Sequence, residues 1–151
     1  KKKILILYNI TDTKNIGSII RSSVCFNVDF IIISKNYYLY NQNIIKISSG
    51  AIFKIKICQV KNLINTINFL INNNIKIISI TEKGDKNINE LSLNKKESFA
   101  FILGNEETGI PNNILKISNY KIFIPINKKN ITSLNVAIVC GIFLYEINKL
   151  L

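Results

Sequence analysis

Phe99-Ala100-Phe101-Ile102-Leu103-Gly104-Asn105-Glu106-Glu107-Thr108-Gly109-Ile110-Pro111 is the stretch on which the fold turns. Its first five residues are apolar without alternation, the pattern of a strand covered on both faces, which belongs to a parallel sheet. A polar turn with two glycines follows, and Pro111 opens a helix expected over Pro111 to Ser118. The same succession recurs along the chain. Apolar runs at Ile4 to Tyr8, Phe30 to Ser34, Ile55 to Val60, Ile75 to Ile80 and Tyr120 to Ile124 read as strands. Helical patterns fall at Ile16 to Phe26 after Asn15 as a cap, at Leu63 to Asn73, and at Leu134 to Leu150. The class is α/β, a parallel sheet with helices on both faces. No repeat, linker or composition break divides the chain, so one domain is expected over residues 1–151, with Lys83 to Asn89 and Asn127 to Asn130 as exposed loops.

The 151 residues carry 20 Lys+Arg against 9 Asp+Glu, a formal charge of +11, with 48% hydrophobic residues, enough for a substantial core. Histidine is absent, which excludes imidazole bases, histidine metal ligands and catalytic triads. The charge fits a polyanionic partner, but a chain so rich in Ile, Asn and Lys also places lysine at ordinary solvated positions, so charge alone leaves both readings open.

Cys25, Cys58 and Cys140 are isolated and odd in number, which supports neither a disulfide framework nor a metal site; all three are expected in the core, in a reducing compartment. No apolar run has the length of a membrane span, and Lys1-Lys2-Lys3 followed by Ile4 to Tyr8 is too short for a signal sequence. The expectation is a soluble protein with no membrane partner. The missing initiator Met suggests a processed chain or a domain cut from a longer one. The terminal helix has a stripe at Val136, Val139, Cys140, Phe143, Leu144 and Ile147, which suits core packing and leaves a dimer face open as its other use.

Ligands bind at the carboxyl ends of strands in open parallel sheets, and three loops there are unusual. In Asn15-Ile16-Gly17-Ser18-Ile19-Ile20-Arg21, Asn15 can cap the helix and Gly17 lets backbone approach a ligand. Arg21 is the chain's single arginine, retained where every other basic residue is lysine, so a planar five-donor fork is of use there; a cap followed by a surface arginine is the plainer alternative. Leu103 to Pro111 lacks the Gly-Lys-Ser/Thr of a phosphate loop, and Glu106-Glu107 would repel a phosphate, so a cationic or neutral ligand suits it better than a nucleoside triphosphate. A glycine-rich turn ahead of a helix is also a sufficient explanation. In Ile124-Pro125-Ile126 and Ser133-Leu134-Asn135-Val136-Ala137, Ser133 can serve as an N-cap, while Asn135 places a donor and an acceptor in the first turn of an apolar helix. No GxGxxG is present.

Together these loops resemble the SpoU (TrmH-like) RNA ribose 2′-O-methyltransferases of the SPOUT superfamily. The matching residues are Asn15-x-Gly17-x-x-x-Arg21 with Phe26, then Leu103-Gly104-Asn105-Glu106-x-x-Gly109, then Ile124-Pro125 with Ser133-Leu134-Asn135-Val136-Ala137 and Leu144-Tyr145-Glu146; Ser49-Gly50-Ala51 also matches. The resemblance runs nearly end to end. Asn27 stands where the family commonly has Gly, Glu107 where Gly is frequent, and the loop before Ser133 carries extra Lys and Asn residues.

The resemblance implies a SPOUT fold with a C-terminal trefoil knot, which topology rules alone count against, and a homodimer. It implies S-adenosyl-L-methionine as cofactor, held by Thr81, Leu103, Gly104, Ile124, Ile126, Ser133 and Leu134. It places Arg21 at the target nucleotide. A guanidinium keeps its proton in proteins, so this arginine is expected to hold a phosphate and acidify the 2′-hydroxyl rather than act as the base. Asn15, Ser133 and Asn135 are expected to floor the catalytic site, and Glu106 to hold its loop. The implied partner is RNA, either ribosomal RNA at a 23S-type guanosine or transfer RNA, with no metal, in a bacterial cytoplasm or an organelle. The alternatives are an RNA-binding module of the same fold without catalysis, and transfer to a base nitrogen, against which the Ser-Leu-Asn-Val motif argues.

Overall fold

The computed structural model describes residues 1–35, 38–127, 129 and 133–150. In chain order its elements are β1 (Lys3–Leu7), α1 (Thr13–Cys25), β2 (Phe30–Ile33), α2 (Gln42–Ile47), a 3-10 turn (Ala51–Lys54), β3 (Lys56–Gln59) and α3 (Leu63–Asn72). There follow β4 (Ile75–Ile80), β5 (Lys86–Asn87), a second 3-10 turn (Ile88–Glu90), β6 (Ser98–Leu103), α4 (Asn112–Ile117), β7 (Tyr120–Phe123) and α5 (Val136–Leu150). The strands form one sheet in the order β3-β2-β1-β6-β4-β7-β5, and every pairing is parallel.

Unbroken apolarity in the central strands follows from the helices on either side. In β1 and β6, Leu5, Leu7, Phe99, Phe101 and Leu103 face one layer of core with Ile16, Ile19 and Ile20 of α1 and Cys140, Phe143, Leu144 and Ile147 of α5. Ile4, Ile6, Ala100 and Ile102 face the other, with Leu63, Ile67 and Leu70 of α3 and Ile114 and Leu115 of α4. The register Leu5↔Phe101 aligns the two sets, and Phe143 meets Phe101 edge-on with ring centroids 5.1 Å apart. Each large side chain so buried contributes roughly 1.5–3 kcal/mol of transfer free energy.

Several expectations need correction. Asp12, not Asn15, caps α1: its carboxylate accepts from the N–H groups of Lys14 (2.7 Å) and Asn15 (3.0 Å). Asn135 rather than Ser133 caps α5, so it precedes the first turn instead of lying within it. Gly17 does not open the backbone to a ligand; it is buried, and a Cβ there would come within 2.8 Å of the Ile47 side chain, so it lets α1 and α2 pack closely. Cys25 and Cys58 are exposed, the latter because β3 is an edge strand, and only Cys140 is core, where burial pushes its thiol pKa up to about 12. The segment Lys83 to Asn89 is not loop throughout, since Lys86 and Asn87 pair with β7. Of Asn127 to Asn130, Lys128 and Asn130 lie outside the described residues. Asn27 has φ 54°, a left-handed geometry that glycine meets without cost and asparagine tolerates. No helix among the described residues is long and apolar enough to cross a membrane.

Candidate active site at the carboxyl ends of the strands

The loops after β1, β6 and β7 converge. Because Asp12 takes the cap, Asn15 sits at the third position of α1 with its side chain free to reach across, although the residue is only 8% exposed. Its Nδ2 donates to Glu106 Oε1 at 2.7 Å. Asn135 Oδ1 accepts from the N–H groups of Ala137 (2.9 Å) and Ile138 (3.3 Å), which turns Nδ2 outward to donate to Asn15 Oδ1 at 2.9 Å and to Glu106 Oε1 at 3.4 Å. Each amide is thereby fixed by its neighbour: the helix start needs the Asn135 oxygen, so its nitrogen faces Asn15, whose own nitrogen then faces the carboxylate. Residues 15, 106 and 135, remote in sequence, become one hydrogen-bonded unit.

Beside it lies a cleft of about 690 Å³ between the loops after β4, β6 and β7 and the start of α5. All seven residues expected at the cofactor, Thr81, Leu103, Gly104, Ile124, Ile126, Ser133 and Leu134, line it, as does Glu106. The loop after β6 is held tightly. Asn105 Oδ1 accepts from the N–H groups of Glu107 (2.8 Å) and Thr108 (3.2 Å), its Nδ2 donates to the Asn9 carbonyl (2.8 Å), and Gly109 N–H donates to the Asn105 carbonyl (2.8 Å). That closure brings the Gly109 carbonyl carbon to 2.5 Å from where a Cβ on Gly104 would stand, so only glycine fits.

Gly84 is a wall residue that the sequence reading passed over. A Cβ there would meet the Ile122 carbonyl carbon at 2.6 Å, so the turn after β4 lies directly on the β7 backbone. The isolated glycine in Thr81-Glu82-Lys83-Gly84-Asp85, just past a strand, was the available signal.

Arg21 stands apart. It is exposed, forms no hydrogen bond or ion pair among the described residues, and is not in the cleft wall. Six residues beyond Asn15, it is displaced about 9 Å along α1 and roughly 120° around it. Ser133 is exposed at the cleft and forms no hydrogen bond among the described residues. Phe26 at the end of the first motif packs edge-on against Tyr145 of the third, with centroids 6.4 Å apart.

An uncharacterized tRNA/rRNA methyltransferase from Borreliella burgdorferi is 38% identical over 147 residues, covering 97% of this chain and 63% of the relative. The 23S rRNA (guanosine-2′-O-)-methyltransferase RlmB of Coxiella burnetii is 29% identical over 97% of the chain and 58% of its own length. This chain thus spans about three fifths of the length of those relatives. Among solved structures, the SpoU methyltransferase AviRb of Streptomyces viridochromogenes, in complex with the cofactor AdoMet, superposes with a TM-score of 0.86 at 22% identity, over 98% of this chain and 57% of that one. The model of the SpoU rRNA methylase family matches residues 2–145, with all three converging loops inside the match, and the chain belongs to that family.

Proposed function

We propose that this chain is an S-adenosylmethionine-dependent methyltransferase domain that methylates the ribose 2′-hydroxyl of a nucleotide in RNA, ribosomal RNA in the first place and transfer RNA in the second. The observation that carries this reading is the bonding of Asn15 and Asn135 to Glu106, which itself lines a cleft together with every residue expected at the cofactor.

The cleft suits the cofactor. Its volume is within the usual 300–1,000 Å³ of small-molecule sites. Leu103, Ile124 and Leu134 offer apolar wall for a nucleoside, and Glu82, Glu106 and Glu107 outweigh Lys83 to leave the lining net negative toward a ligand bearing a sulfonium. When bound, S-adenosylmethionine supplies an already activated methyl group. The protein's share of the work is positioning. Asn15, Ser133 and Asn135 hold the ribose side of the site, and Glu106, by accepting from both amides, is a positioning residue that fixes their direction. Arg21, exposed and without a partner among the described residues, grips the phosphate beside the target hydroxyl and favours its ionised form, while phosphate or water takes the proton.

The same reading includes a homodimer, for which α5 offers an exposed apolar stripe at Ile138, Ile142 and Tyr145, and a cytoplasmic or organellar setting. It also includes the C-terminal knot. In its support, β7 lies between β4 and β5, so the chain leaving β4 passes outside β7 before returning to β6.

The test is incubation with labelled S-adenosylmethionine and mixed ribosomal and transfer RNA, followed by alkaline digestion. Label in alkali-resistant dinucleotides is expected; label confined to alkali-sensitive nucleotides sinks the 2′-O assignment, and no transfer from any RNA favours a binding module. Arg21→Lys is expected to lose most transfer while keeping cofactor binding.

A further inference from the structure

The chain's charge is segregated. Between Asp29 and Glu82 there is no acidic residue, while Lys35, Lys46, Lys54, Lys56, Lys61 and Lys76 give six positive charges, against a net of five for all the remaining residues. Lys35, Lys46, Lys54 and Lys56 are exposed around β2, α2, the first 3-10 turn and β3, and none has an ion pair among the described residues.

In the same region three aromatic rings face solvent: Tyr38 (78% exposed), Tyr40 (54%) and Phe53 (67%). They are held there by their neighbours. Leu39 is buried, which turns Tyr38 and Tyr40 outward on either side of it, and Asn41 ties the loop to α2 by donating to the Tyr38 carbonyl (2.8 Å) and accepting from Ile44 N–H (2.9 Å). Ser49 and Gly50, both left-handed at φ 51° and 74°, turn the chain so that Ala51 and Ile52 go into the core and Phe53 comes out. The rings of Tyr40 and Phe53 then lie stacked, centroids 6.0 Å apart at 26°.

Exposed aromatic faces set among unpaired lysines are the chemistry of a single-strand nucleic-acid platform, in which bases stack on rings and lysines follow the phosphates. We propose that Tyr38, Tyr40 and Phe53, with the lysines around them, bind unpaired bases of the RNA substrate next to the target nucleotide. The position fits. Gly17 of α1 packs on Ile47 of α2, and Arg21, one turn later, lies on the same flank of α1. α1 also packs on the 3-10 turn that carries Phe53, so Arg21 and the rings belong to neighbouring elements. This rests on the RNA reading above and narrows it to single-stranded targets.

The test measures binding of the whole chain to an unstructured, fluorescently labelled 12-nucleotide RNA and to the corresponding duplex, by anisotropy over a salt series. Tyr40→Ala and Phe53→Ala are expected to weaken single-strand binding roughly fivefold to 150-fold each with no change in salt dependence and to leave duplex binding unchanged, whereas Phe53→Trp, which keeps a ring at the position, is expected to retain single-strand binding. Lys54→Ser is expected instead to lower the salt slope by about 0.7. Unchanged single-strand affinity in both alanine variants, or equal losses on duplex, overturns the proposal. So does a change of sedimentation coefficient accompanying the loss, which assigns the patch to contact between two copies. If the parent chain binds single-stranded RNA yet transfers no methyl group, the catalytic reading fails and the platform stands; if transfer proceeds and the alanine variants bind as the parent does, the reverse holds.

Discussion

Two substitutions at one atom separate the parts played by Asn135. Asn135→Ala removes the cap of α5, at about 0.5–2 kcal/mol. It also leaves Asn15 Oδ1, on a nearly buried residue, without its donor, for about 1–3 kcal/mol more. A combined loss of about 1.5–5 kcal/mol lowers the melting midpoint of a chain this size by roughly 3–20 °C. Asn135→Asp keeps an oxygen for Ala137 and Ile138 and adds a negative charge that the helix start favours, so the cap survives. The donor does not survive, and a second carboxylate now stands where a nitrogen lay 3.4 Å from Glu106. At that distance repulsion amounts to about 1 kcal/mol at the dielectric of water and about 5 kcal/mol at an effective value near 20; for two exposed side chains the lower end applies. The sign with pH is opposite to that of an ordinary paired carboxylate. Two like charges side by side cost most when both are ionised, so the penalty is full at neutral pH and fades as pH falls and the two share a proton. Differential scanning fluorimetry of parent and both variants from pH 7.5 to 4.5 reads this directly. The aspartate deficit should shrink toward acid while the alanine deficit stays level. A flat aspartate deficit, or an alanine loss below about 0.5 kcal/mol, refutes the three-residue network as the tie between these loops.

Gly104→Ala forces a Cβ to within 2.5 Å of backbone that three hydrogen bonds hold in place, so the loop must deform; a loss of about 1–3 kcal/mol is expected, together with loss of the thermal shift that the proposed cofactor S-adenosylmethionine is expected to give the parent, and an unaltered ligand shift would show the cleft lies elsewhere. Cys140 should resist a thiol reagent in the native protein and react only on unfolding, since burial holds its thiol protonated, whereas Cys58 on the edge strand should react at once; mass spectrometry of the labelled peptides decides, and rapid labelling of Cys140 would contradict the packing of α5 on the sheet.

The central strands were legible because burial on both faces writes itself as continuous apolarity, as in Ile4 to Leu7 and Phe99 to Leu103. Lys86-Asn87 was not: two polar residues added to the sheet edge by pairing with β7 have no periodicity to read. α2 escaped because six residues hardly complete a pattern, and its identity comes from the Asn41 cap and the Gly17–Ile47 contact. Cysteine burial was misjudged for Cys58 because strand position in the sheet, which the sequence does not state, decides whether an apolar neighbourhood is covered.

The misplaced caps bear on how the site is built. Asn15 and Ser133 are the caps the sequence offers, with Asn135 expected inside the first turn, and reading these residues alone does not say which serves the backbone and which the site. The structure divides the work: Asp12 relieves Asn15 of capping, while Asn135 does both with the two ends of one amide. The start of α5 and the orientation of Asn15 are thus the same constraint. A side chain that must cap a helix has little freedom to rotate, so the donor it presents to Asn15 is held by the backbone of α5 itself, and Glu106 meets two amides already aimed. Direction here comes from main-chain geometry rather than from charge, which explains how a chain without histidine and with one arginine can still present an ordered polar surface.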